Sequence, residues 1–225
     1  MMLTPIALPD LPGALKSFAA CVADHPLAAA AFARIHASLD KVENGDLELS
    51  QNPRHHAEGV ALLADFGMAV HDAPADDALT WDGKAAWVRM EPSVLIHEVG
   101  HLQTCAAERR AVPDFGLGAG PETGPNVRAL ADAAMTVTGV AREMEEAAAS
   151  LQGILWEAVL GQPAILAFLE QNWLEGGASS YNRAHFVKIV EALHGAGLID
   201  ATGQPTRSLR ESDDETFLGP LVNPA

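Results

Sequence analysis

The chain has 225 residues, 48% of them hydrophobic and 20% charged, with a formal net charge of −16. That length and hydrophobic share suit one principal core and argue against disorder, and only fourteen Lys and Arg leave no basic stripe to hold nucleic acid. The two cysteines, Cys21 and Cys105, form no Cys-x-x-Cys pair, which excludes a thiolate zinc cluster and fits a reducing compartment.

Residues 1–13 have no basic leader, Pro5, Pro9 and Pro12 interrupt them, and no run of eighteen apolar residues occurs anywhere. A cytoplasmic protein without a membrane segment is expected. Residues 14–39 are Ala-rich, with Leu15, Phe18, Val22 and Leu27 as apolar marks, and read as helix interrupted at Pro26. Asn44-Gly45 is a turn signal. A second helix is expected over 57–66, entered through Pro53 and the pair His55-His56. Adjacent helical residues point about 100° apart, so these two histidines do not share a metal and are read as polar surface. After an acidic loop over 72–77, residues 79–81 and 84–90 are expected to form a hairpin across Asp82-Gly83.

Pro92-Ser93 then supplies a helix start for 94–105, and 112–124 is a Pro- and Gly-rich loop. A long Ala-rich helical pattern covers 127–160, with Gly139 as its weak point, and Gly161-Gln162-Pro163 ends it. Another helix is expected to run to Leu174, followed by an amphipathic segment over 179–193. The polar, Pro-dotted stretch 200–225 reads as a tail or wrapping arm. The fold class is α+β: a mostly helical single domain with a small sheet or hairpin beside the 94–105 helix, an arrangement like that of the zincins. Within it, 1–75 is a helical N-terminal part, 76–199 a metal-binding core and 200–225 a tail.

His97-Glu98-Val99-Gly100-His101 carries the chemistry. Two imidazoles four residues apart on a helix lie on one face with Cβ atoms about 5–6 Å apart, so both reach one metal ion. The apolar residues Val94, Leu95, Ile96, Val99 and Leu102 place that pair on a packed helix. Cys105 lies one turn beyond His101 and is read as a small buried hydrophobe rather than a ligand. A catalytic zinc or non-haem iron site needs a third protein ligand and an open position. Glu143 and Glu146, three apart on the long helix, supply that carboxylate between them, and Glu145 points away.

The run 96–101, followed by Arg109-Arg110, Asp114-Phe115-Gly116 and Gly120-Pro121, resembles the core of the elongation factor P hydroxylase family. Looser matches are the approach over 81–91, the 143–146 helix and Gly161-x-Pro163, so the resemblance covers about residues 76 to 165. It implies a non-haem Fe(II) oxygenase using dioxygen to hydroxylate a protein or peptide side chain or an amino-acid-like substrate, with a modified translation factor as the family's own target. It also implies His97, His101 and Glu146 as ligands, with Glu143 as the alternative, while Glu98 orients water or relays protons. Arg109 and Arg110 are then either anchors for a substrate carboxylate or a charged turn complementing the helix dipole. Asp114 either holds a ligand histidine by its free ring nitrogen or caps the loop. The competing reading of the same motif is a Zn(II) peptidase with Glu98 as general base.

Overall fold

A computed structural model describes Ile6, 9–43, 47–174 and 180–211. The expected Asn44-Gly45 turn and the stretch 212–225 lie outside these residues. The N-terminal helical pattern splits into α1 (Leu11–Val22) and α2 (Pro26–Ala37). Pro26 occupies the first turn of α2, where a missing N–H and a fixed φ favour initiation. Next come α3 (Pro53–Asp65), strands β1 (Ala69–His71) and β2 (Ala85–Trp87), and α4 (Pro92–Thr104), which carries the histidine pair. The 127–160 pattern is broken into α5 (Arg128–Ala133) and the 22-residue α6 (Gly139–Leu160). Helices α7 (Ala164–Glu170) and α8 (Ser180–Gly195) complete the order. α6 ends at Gly161 in the left-handed conformation (φ 74°), which glycine adopts without a Cβ penalty.

Two apolar cores share α6. One joins α1, α2, α7 and α8 and is built around Phe18, Phe32, Phe168 and Phe186, whose ring centroids lie 4.7 to 6.4 Å apart. The other packs α3, the sheet and α4 together through Leu63, Trp87, Leu95, Ile96 and Val99, with Trp156 of α6 closing it. Within residues 1–75, α1 and α2 belong to the first core and α3 to the second.

The sheet differs from the expected hairpin. Asp82-Gly83 does turn the chain, with Asp82 Oδ1 accepting from the backbone N–H of Lys84 and Ala85 at 2.8 Å. Only an isolated bridge, Trp81 to Ala86, results, and β2 pairs instead with β1, in parallel. Parallel pairing needs a crossover, which the loop 72–84 supplies, and the three-residue β1 carried too short a pattern to be read as a strand. His55 is also corrected: it is buried, with Nδ1 2.7 Å from Ser50 Oγ. Residues 200–211 are no free tail, since Gln103 Nε2 donates to the carbonyls of Thr206 and Ser208 and Arg210 is buried against the Thr104 carbonyl. No helix among the described residues is long and apolar enough to cross a membrane.

Glu157, on the buried side of α6, shows how this packing responds to pH. Burial pushes its carboxyl up to about 8. Between about pH 4.5 and 8 the unfolded chain has lost this proton and the folded one has kept it, so stability falls as pH rises, by about 1.4 kcal/mol per pH unit at most. Glu157→Gln is expected to flatten that slope. Melting temperatures measured from pH 5 to 8.5 should converge at pH 5 and favour the variant at pH 8.5, and parallel curves would refute the assignment.

Candidate metal centre

α4 and α6 run antiparallel in close contact, and two glycines permit it. A Cβ on Gly100 would meet the Ala149 carbonyl oxygen at 2.2 Å, and one on Gly153 would stand 3.1 Å from the His97 Cα. This approach brings the N-terminal half of α6 over the histidine face of α4. His97 Nε2 lies 3.8 Å and His101 Nε2 3.5 Å from the same atom, Glu146 Oε2. The two imidazoles stand nearly perpendicular, with centroids 4.4 Å apart.

These three donors are the group among the described residues whose ligand atoms converge within 4.8 Å. The two histidine-to-Glu146 separations are long for hydrogen bonds and a little beyond the edge of about 3.3 Å expected between ligands 2.0–2.1 Å from one ion. Two imidazole nitrogens and one carboxylate suit Fe(II) or Zn(II). Burial, with His97 beside it, lowers the His101 imidazole to about 3, so the ring stays neutral and its lone pair available. Glu146 is held below the usual carboxylate range although burial opposes this, because His101, His97 and Arg142 favour its charge.

Glu143 is exposed and stands outside the converging group, so of the two helix carboxylates only Glu146 meets the histidines. Glu145 does point away from them, but into the interior, where Arg109 Nη2 donates to its Oε2 at 2.6 Å. Cys105 is fully buried, its thiol pushed up to about 12 by burial and by Glu145, and it stands outside the donor group.

Arg109 and Arg110 are absent from the cavity lining, so of the two roles expected for them, the anchoring of a substrate carboxylate gains no support there. Arg109 is spent on Glu145 and the Phe115 carbonyl, and Arg110 donates to the Arg210 carbonyl. Asp114 does not hold a ligand histidine either. Its Oδ1 accepts from Thr80 Oγ1 at 2.8 Å and Trp81 N at 3.3 Å, its Oδ2 from Thr123 Oγ1 at 3.3 Å, while Nδ1 of both His97 and His101 is buried with no hydrogen-bond partner among the described residues.

The donors open onto a cavity of about 530 Å³. Glu98, Asp114, Glu122, Glu146 and Glu170 line it, and no Lys or Arg does among the described residues. Burial first, then Asp114 and Glu146, raise Glu98 well above the usual carboxyl range, so its neutral, proton-holding form is favoured. The far wall is Trp173, whose Nε1 donates to Ser150 Oγ at 2.8 Å and whose ring stacks on His185. Sequence reading missed this wall. Ser150 stands four residues after Glu146 and Ser93 four before His97, a helical spacing that marks both as cavity-facing once the site is placed. Trp173 and His185 come from a distant turn and helix, and nothing local to them signals the cavity.

Comparison with protein-family models, with curated proteins and with solved structures finds no match for this chain.

Proposed function

We propose that this protein is a metal-dependent oxygenase, a non-haem Fe(II) hydroxylase acting on a protein side chain or an amino-acid-like substrate, as its resemblance to the elongation factor P hydroxylases implies. The observation that carries the reading is the convergence of His97, His101 and Glu146 from two antiparallel helices onto one point at the wall of a cavity. Two histidines and one carboxylate with the remaining positions open form the ligand set that non-haem Fe(II) oxygenases use. Bound there, the ion would supply dioxygen activation.

The chain's own residues do the rest. Leu49, Val94, Phe115, Leu117 and Trp173 give the cavity apolar walls that exclude water and orient the substrate. The acidic lining, with Glu98 holding its proton and no lysine or arginine among the described residues, favours a neutral or cationic group over an anionic one, as an amine-bearing side chain requires. Glu98, one residue from His97, holds a proton at its carboxyl and returns it at the cavity wall.

A zinc peptidase is the second reading of the motif. Such an enzyme has to hold an extended backbone across the metal, commonly by adding it to a strand edge. Neither β1 nor β2 lines this cavity, which favours the oxygenase. The deciding experiment loads metal-free protein anaerobically with Fe(II) or with Zn(II), then presents lysine-containing peptides and free amino acids together with dioxygen and a two-electron reductant, whose electrons with two protons reduce the second oxygen atom to water. Oxygen uptake with Fe(II), together with a gain of one oxygen atom in the product by mass spectrometry, is the expected result. Peptide cleavage supported by Zn(II) without oxygen would decide for the peptidase.

A further inference from the structure

We infer that Arg109 is a positioning residue of the metal centre, a brace that fixes the carboxylate-bearing helix and the ring behind His101 relative to each other. The inference rests on His97, His101 and Glu146 being the ligands.

Arg109 is buried, and its guanidinium reaches two separate elements. Nη2 donates to Glu145 Oε2 at 2.6 Å, on α6 and one residue before Glu146. Nη1 donates to the Phe115 carbonyl at 2.7 Å. The Phe115 ring in turn lies between Trp81 and the ligand His101, stacked on the first at 5.5 Å and 4° and on the second at 5.5 Å and 21°. One side chain thus ties the backbone that carries Glu146 to the ring against which His101 rests.

The turn that it braces has an unfavourable backbone, although its own amides and the Asp114 carboxylate also help to hold it. Asp114 and Phe115 have φ of 43° and 53°, left-handed values that residues with a Cβ avoid, and Gly116 follows at 75°. A Cβ on Gly116 would stand 2.5 Å from Thr136 Oγ1, too close to fit, and 3.4 Å from Arg109 Cδ, an ordinary contact, so the turn packs against both side chains. The guanidinium fork suits this task because its donors are fixed in one plane and point in different directions. A shift of α6 against the turn must lengthen one of the two bonds. Lysine, with a single ammonium, cannot keep both partners at these distances and directions.

The test uses Co(II) alone as probe on the full chain, reading affinity by chelator competition and geometry from the visible absorption of the bound ion. Arg109→Lys and the near-isosteric Glu145→Gln are compared with Phe32→Leu, a destabilising change in the distant core. The two brace variants are expected to lose at least tenfold in Co(II) affinity and to shift the visible bands, and Phe32→Leu to keep both. Folded brace variants with unaltered affinity and spectrum would overturn the inference. A second measurement needs no variant: loading the unmodified protein with Co(II) should slow hydrogen exchange at the Phe115 and Leu117 amides, and unchanged exchange there would equally overturn it. Failure of the unmodified protein to bind Co(II) would remove the metal centre itself, a result distinct from either.

Discussion

His101→Ala is expected to abolish stoichiometric metal binding, with a loss in affinity of more than about 100-fold, beyond that typical of removing a group that merely supports a ligand. The reason is geometric. His101 Nε2 is the donor nearest Glu146, 3.5 Å from its Oε2, and it sits on a buried ring that has little room to be replaced by water. In thermal unfolding, metal at about 1,000 times its dissociation constant should add about 4 kcal/mol to the unmodified protein, or roughly 10 °C for a chain of this size. The variant is expected to show no metal-dependent shift. Elemental analysis after dialysis against Fe(II) or Zn(II) makes the direct check, and full metal content in both His101→Ala and His97→Ala would remove the site.

The same residue fixes a pH dependence of the metal-free protein. Burial holds the folded His101 down to about 3, against about 6.5 in the unfolded chain. Between those values the unfolded state binds a proton that the folded state refuses, so stability is complete above about pH 6.5 and falls as pH drops towards 3. His101→Ala lacks this contribution, and its acid unfolding limb is expected to be shallower.

Gly100→Ala is the second large effect, and the more severe for the fold. In an isolated helix the change would stabilise by up to about 1 kcal/mol. Here the added methyl group falls 2.2 Å from the Ala149 carbonyl oxygen, a backbone atom that cannot rotate aside. α4 and α6 must separate by about 1 Å to restore ordinary contact, and overpacking of this kind costs about 1–3 kcal/mol or more. The displacement also pulls Glu146 away from both histidines, so metal affinity is expected to fall at least tenfold in protein that remains folded. Gly13→Ala, in α1 with open space around it, is the control and should be neutral or slightly stabilising. Denaturant unfolding and metal titration of the two variants test both statements, and a Gly100→Ala protein with native stability would refute the close-packing account.

The two predictions show what kind of information each level holds. The histidine pair was legible because its geometry is internal to one helix: four residues along α4 return to the same face whatever the rest of the chain does. The carboxylate was legible only as a choice between Glu143 and Glu146. Both lie on neighbouring positions of one face, and the rotation of α6 about its axis, set by Gly100 and Gly153, turns Glu146 to the histidines and leaves Glu143 in solvent. Arg109 illustrates the opposite failure. Beside the motif it resembles an anion-binding group, yet its charge is consumed by Glu145, thirty-six residues away, which turns a suspected substrate anchor into part of the scaffold. Asp114 likewise gives its acceptors to Thr80, Trp81 and Thr123 rather than to a ligand ring.

By itself, the amino-acid sequence determined the helical elements, their breaks at Pro26 and Gly161, the α+β class and the paired imidazoles, because all of these follow from periodicity and from residues whose backbone preferences are local. Tertiary structure alone decided the parallel pairing of β1 with β2, the burial of His55, the third ligand, the partner of Arg109 and the acidic, tryptophan-walled cavity. Each of these depends on which surfaces meet across tens of residues. That is settled by the close fit of α4 against α6 and by two cores sharing one helix, not by any local pattern.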